Sequence, residues 1–107
     1  MHLYVDSYEV VVATAENTIN ELGLEVLLSD QDKGEIVAAL PRDRITLKDA
    51  NFIIPGVVQS DVIVINVVDL SSDVRVDMKI IYYSGQQDWS EYIPRFFDKL
   101  NTQLSRN

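Results

Sequence analysis

The chain has 107 residues, of which 47% are hydrophobic, and it carries 17 acidic against 9 basic residues for a formal net charge of −8. This apolar content is enough for one core, so we predict a single domain over residues 1–107. The absence of cysteine excludes disulfides, thiol nucleophiles and thiolate metal sites. The acidic balance argues against nucleic acid as a partner, because contacts to phosphates require a basic patch.

The first predicted element is an amphipathic helix over about residues 7–22. Apolar residues recur at helical spacing from Tyr8 to Leu22. Asp6 or Ser7 supplies the N-cap, and Gly23 suits the left-handed position that ends many helices. We expect His2, which comes earlier, to lie in a frayed terminus.

A β-hairpin is predicted next, with strands over residues 24–29 and 35–40. The connecting residues 30–34 are rich in Asp and Gly, as hairpin turns are. Asp30 and Asp32 resemble the opening of a calcium loop, but Gly34 comes one position early and further oxygen donors are missing. We therefore predict a turn and no metal site.

Residues 42–60 form a long excursion with weak strand character. An apolar run, Phe52-Ile53-Ile54-Pro55-Gly56-Val57-Val58, is interrupted by a Pro-Gly turn. Because proline cannot donate to a sheet ladder, any strand here is expected at an edge or in an irregular pairing. Long loops in small domains are often functional.

A second hairpin is predicted from residues 61–70 and 74–83, joined at Ser71-Ser72-Asp73. In this pairing Ile63, Ile65 and Val67 lie opposite Ile80, Met78 and Val76, which unites the apolar faces. Val62, Val64 and Val68 then point to the other face and need a cover. This surplus apolar face is the feature that ordinary strand patterning does not explain.

The last predicted element is a helix from about Glu91 to Ser105. Apolar residues again recur at helical spacing, and Pro94 favours a start near Glu91 because proline is tolerated only in the first turn. Its aromatic residues are expected in the core. The chain thus predicts an α+β fold in the order α-β-β-β-β-α, with an antiparallel sheet of about four strands and both helices packed on one face.

No catalytic or cofactor set is visible in the sequence. His2 is the only histidine, so neither a serine triad nor a histidine zinc site can be assembled. Asp61, Asp69, Asp73 and Asp77 are spread over two faces and a turn and are not expected to converge. We predict no enzyme, no cofactor and no bound metal.

The element order and several short segments resemble small bacterial envelope lipoprotein domains, among them the helix-grip domains of BamC. The residues that carry this resemblance are Asp6 through Leu22, Glu21-Leu-Gly-Leu-Glu-Val26, Lys33-Gly34-Glu35-Ile36 and Tyr92-Ile-Pro-Arg-Phe-Phe-Asp-Lys-Leu100. The resemblance implies an accessory domain on the periplasmic side of the envelope, if a signal or lipid anchor was removed; otherwise we expect a cytoplasmic location. It implies no catalytic residues, and the chain lacks a lipobox cysteine.

Two functions remain open at this point. The first is a noncatalytic protein-interaction domain that binds a protein partner or a second copy of itself. The second is a binder of small apolar ligands, with a cavity between helices and sheet lined by residues such as Ile65, Met78 and Phe97. No apolar run is long enough for a membrane span, so we expect no direct membrane insertion by this segment.

The interaction hypothesis assigns the partner-binding residues to the surplus apolar face and the excursion. An equally weighted alternative is that the excursion only seals its own sheet. The predicted partner-binding residues are Phe52, Ile53, Ile54, Val57, Val58, Val62, Val64 and Val68.

Overall fold

A computed structural model describes residues 2–40, 61–82 and 88–104. The described elements are β1 (His2–Tyr4), α1 (Tyr8–Glu21), β2 (Glu25–Asp30), β3 (Glu35–Ala39), β4 (Val62–Asp69), β5 (Val74–Ile81) and α2 (Tyr92–Gln103). The strands form one antiparallel sheet in the order β1-β5-β4-β3-β2. The predicted α+β class with an antiparallel sheet and two helices is confirmed. The excursion over residues 42–60 lies outside the described residues.

The sheet has five strands, one more than predicted, and the additional strand precedes the first helix. β1 pairs with β5 through His2↔Val76 and Tyr4↔Val74. The expectation of a frayed terminus at His2 was therefore wrong. A three-residue strand is too short to show an alternating pattern, so its pairing depends on the rest of the fold.

The first helix begins and ends where its sequence predicts. Ser7 is the N-cap, and its hydroxyl accepts a hydrogen bond from the amide of Val10 at 3.4 Å. Gly23 follows the helix with a φ of 78°, the left-handed conformation that glycine adopts without steric cost.

The second helix also begins as predicted, with Glu91 at the N-cap position and Pro94 in the first turn. Proline is tolerated there because the amides of the first turn have no partner within the helix. The helix buries Tyr92, Phe96, Phe97 and Leu100, so the prediction that its aromatic residues belong to the core is confirmed.

The second hairpin has the predicted register. Ile63 pairs with Ile80, Ile65 with Met78, and Val67 with Val76. These apolar faces join the inward residues of both helices in one buried cluster. The cluster consists of Tyr4, Val11, Val12, Ala15, Ile19, Leu24, Ile36, Ala38, Leu40, Ile63, Ile65, Val67, Val74, Val76, Trp89, Tyr92, Phe96, Phe97, Leu100 and Leu104.

Met78 and Ile80 point toward this cluster but are only partly buried. The reason lies in the length of β1, whose pairing with β5 ends at Val76. Beyond that point, β5 has a described neighbour on one side only, so the side chains at its end lie at the margin of the sheet.

Candidate functional site

The face of the sheet opposite the two helices, termed the outer face, carries apolar side chains in rows that cross the strands. The register places Leu28 beside Val37 and Val37 beside Val64. A second row runs from Ala39 through Val62 to Ile81. Ile63, Ile65 and Val67 lie in the core cluster. The prediction that the alternate valines of β4 point to the other face of the sheet is therefore confirmed.

The three predicted site residues of β4 differ in exposure. Val64 is only 7% exposed although it lies outside the core cluster. Val62 and Val68 are half-buried. The remaining predicted site residues, Phe52, Ile53, Ile54, Val57 and Val58, lie outside the described residues.

Two exposed residues of the outer face were missed by the sequence prediction. Leu28 is 45% exposed and Ile81 is 49% exposed. Ile81 lies on the same face of β5 as Arg75, Asp77 and Lys79. Strand alternation alone could therefore have predicted that Ile81 points outward. Leu28 gave no such signal, because a β-bulge between Val26 and Leu28 shifts the register.

The charges on the outer face differ from strand to strand. On β5, Arg75 and Asp77 form an ion pair at 2.8 Å between Nε and Oδ2, and Lys79 adds a second cation. On the β2 and β3 side the charged residues are the acidic Glu25, Asp30 and Glu35. The face is thus apolar along its middle, of mixed sign on β5 and acidic at β2.

The turn at residues 30–34 is stabilised by one aspartate side chain. Asp30 Oδ1 accepts hydrogen bonds from the amides of Asp32 and Lys33, both at 3.1 Å. This is the local side chain to backbone pattern that makes aspartate common in turns, and the turn prediction is confirmed.

A surface pocket of about 260 Å³ lies beside the start of α1 and the turn between β4 and β5. Its lining includes Asp69 and Asp73 from the hairpin and Asp6 and Glu9 from around the start of α1. Two of the aspartates that were expected to stay apart therefore share this pocket. Within residues 2–40, 61–82 and 88–104, no group of three or more acidic, histidine or cysteine side chains has a metal-binding arrangement.

Tyr8 joins this pocket to the first hairpin. Its hydroxyl donates a hydrogen bond to the carbonyl of Gln31 at 2.5 Å. Burial raises the pKa of the Tyr8 phenol above its ordinary value, and the nearby carboxylates of Asp30, Asp32, Asp69 and Glu9 raise it further. The phenol is therefore held in its neutral, hydrogen-bond-donating form.

Asp61 is a buried carboxylate whose role was missed by the sequence prediction. It is 7% exposed, and its Oδ2 accepts a hydrogen bond from the Trp89 indole at 2.6 Å. Its carbonyl also accepts from the amide of Leu40 at 2.9 Å. This is a structural role, because buried tryptophan and buried carboxylates both require a partner.

The ligand-binding alternative places Ile65, Met78 and Phe97 around a cavity. Ile65 and Phe97 belong to the core cluster, and Met78 packs against it. The alternative stays a prediction, and these contacts give it no support of their own.

Comparison of the chain with known protein families, characterised proteins and solved structures finds no match. Among the helices of the described residues, none combines the length and the hydropathy that a bilayer span requires.

Proposed function

We propose that the chain is a noncatalytic protein-interaction domain, and that it binds a second copy of itself through the outer face of its sheet. The observation that carries this proposal is the two-faced apolar character of β4. Its inward residues are used by the core, yet the outer face has its own apolar rows, and these extend to the exposed side chains of Leu28 and Ile81. Apolar residues grouped in this way are typical of association surfaces.

The charges of β5 support a second copy as the occupant. The net charge of −8 opposes association of two identical chains. Arg75 and Lys79 lie on either side of Asp77, so this strand offers both signs to an identical surface. A two-fold contact presents the same patch on both subunits, and it therefore needs both signs within that patch.

The proposal assigns the residues at the contact in two groups. Val62, Val68 and Ile81 supply accessible apolar area for the contact. Val64 belongs to the same face but is nearly buried, so it contributes little accessible area. Among the predicted residues of the excursion, Phe52, Ile53, Ile54, Val57 and Val58, none is needed for the test below. We also retain the proposal of an accessory role in the bacterial envelope, which rests on the resemblance to helix-grip domains alone.

The test compares substitutions at two residues that are almost equally exposed and lie on opposite sides of the molecule. Ile81 is 49% exposed on the outer face, and Val10 is 48% exposed on α1. Sedimentation velocity over a wide concentration range should show a dimer for the wild type and for Val10→Lys, but a monomer for Ile81→Lys. Far-UV circular dichroism checks that both variants fold. A wild-type chain that stays monomeric at every concentration would refute the proposal.

A further inference from the structure

The edge of the sheet at β2 combines three features that suit the binding of an extended peptide. β2 pairs with β3 on one side and has no partner on its other side among the described strands. An open edge offers a row of backbone N–H and C=O groups to any added strand. Leu28 also ends one apolar row of the outer face, but the free side of β2 lies apart from the contact proposed for β4 and β5.

The first feature is the pair of exposed leucines at the centre of the edge. Leu27 is 37% exposed and Leu28 is 45% exposed. Edge strands that are protected against pairing usually place charges or proline at such positions. The centre of β2 instead offers apolar area to an added strand.

The second feature is a consequence of the bulge. Six residues of β2, Glu25–Asp30, lie opposite five residues of β3, Glu35–Ala39, because Leu27 is the additional residue. Residues five apart in a regular strand point to opposite faces. Because Leu27 has no pairing position of its own, Glu25 and Asp30 are only four pairing positions apart and both lie on the outer face. One lies on either side of the leucine pair.

The third feature is the sign of the surrounding charge. Glu25 is exposed, and Asp30 lies beside Glu35 of the neighbouring strand. On the helix side, Ser29 Oγ donates a hydrogen bond to Glu16 Oε2 at 3.1 Å, which places a further carboxylate beside the strand. Lys33 in the adjoining turn is the cation nearest in sequence to this group.

A second copy of the chain does not fit this edge. Antiparallel self-pairing of β2 would bring Glu25 of each copy against Asp30 of the other, twice in one ladder. Like charges directly opposite each other destabilise a strand pair. The charge pattern therefore selects against the chain itself and in favour of a cationic strand.

We propose that β2 binds an extended basic segment of a partner protein by strand addition, with the pattern Lys/Arg-x-apolar-x-Lys/Arg. The two cationic residues lie against Glu25 and Asp30, and the apolar residue between them lies against Leu27 and Leu28. Successive side chains of a strand point to opposite faces, so the two cationic residues and the apolar residue of this pattern all lie on the same face of the added strand. Backbone hydrogen bonds supply affinity, and the spacing of the charges supplies specificity.

The test uses two synthetic peptides of identical composition. Thr-Lys-Thr-Val-Thr-Lys-Thr places lysines at the proposed spacing, and Thr-Thr-Lys-Val-Lys-Thr-Thr places both lysines on the face opposite the valine. Titration of the ¹⁵N-labelled chain should shift the amides of residues 25–30 with the first peptide. The second peptide should bind more weakly and without shifts confined to these residues.

Two charge reversals complete the design. Glu25→Lys should weaken binding of the first peptide about fivefold or more, because an attractive cross-strand pair becomes repulsive. Glu91→Lys makes the same change of charge at the start of α2 and should leave the affinity within about twofold, since exposed charges at a distance are screened by salt. Ile81→Lys should not affect the peptide, which separates this site from the proposed dimer surface. Equal binding of both peptides, or shifts spread over the whole surface, would overturn the proposal.

Discussion

The hydroxyl of Tyr4 donates a hydrogen bond to Oδ1 of Asn101 at 2.6 Å, across 97 residues of chain. Two residues earlier on the same strand, the His2 ring stacks on Phe97 with ring centroids 3.6 Å apart and an interplanar angle of 7°. Residues two apart on a strand are separated by about 6.6 Å, and residues four apart on a helix by about 6 Å. This match lets β1 contact α2 at two successive positions.

We predict that Tyr4→Phe lowers the free energy of unfolding by about 1 kcal/mol, because it removes the donor to Asn101 and leaves the buried ring in place. Urea denaturation of Tyr4→Phe, Asn101→Ala and the double variant forms a cycle that isolates this contact. Strictly additive effects of the two substitutions would contradict a direct interaction between β1 and α2.

Two glycines with positive φ should respond very differently to alanine. At Gly34 an added Cβ would clash with the carbonyl oxygen of Val67, whereas at Gly23 it would meet no atom within 4 Å. Gly23→Ala should cost about 1–2 kcal/mol for the left-handed conformation alone. Gly34→Ala should cost at least about 2 kcal/mol more, because the backbone bond from the Val67 amide to the Gly34 carbonyl must shift. Equal denaturation midpoints for the two variants would contradict the close contact between the turn and β4.

Trp89→Phe should lower the free energy of unfolding by about 2 kcal/mol, since it removes a donor to a buried carboxylate. Asp61→Ala removes the acceptor, and the double variant should lose less stability than the two single variants added together. The chain contains one tryptophan, and at 7% exposure its fluorescence in the folded state should be blue-shifted relative to the unfolded state. Losses from the two single variants that simply add in the double variant would contradict this assignment.

Stability at alkaline pH should depend on Tyr8. The pKa of its phenol is raised above the ordinary value of 10.0, chiefly by burial and then by the carboxylates around it. The folded state favours the neutral phenol, so this contribution to stability is complete below the unfolded pKa and is lost as the pH rises through the folded pKa. Ultraviolet titration should show a late-ionising tyrosine in the wild type whose contribution is missing in Tyr8→Phe. Identical titration curves, after allowance for one fewer tyrosine, would contradict the raised pKa.

Local patterns predicted most of the fold, and the exceptions depend on long-range contacts. The alternation of Val74, Val76 and Met78, together with a tight turn at Ser71-Ser72, was sufficient to predict the register of the second hairpin. In contrast, β1 has three residues, and its contacts with Phe97 and Asn101 come from the other end of the chain. No short-range pattern indicates such a pairing.

The candidate site was predicted only in part, because a β-bulge changes the register of β2. The outward valines of β4 follow from strand alternation, and this prediction is confirmed by the cross-strand register. The exposure of Leu28 and the common face of Glu25 and Asp30 both depend on the bulge at Leu27. A bulge leaves no clear sequence signal here, so the acidic edge at β2 could be identified only from the structure.

The most direct test of self-association through the outer face is a spin-label experiment. The chain contains no cysteine, so Ile81→Cys provides a single labelling position on the outer face. Spin-labelled chains mixed with ¹⁵N-labelled wild-type chains should broaden the amide signals of residues 62–68 and 79–81 in the partner copy. Val10→Cys, labelled in the same way on α1, should not. Broadening from the Val10 label alone, or none from either label at concentrations where the labelled chains themselves still sediment as dimers, would contradict the outer face as the interaction surface.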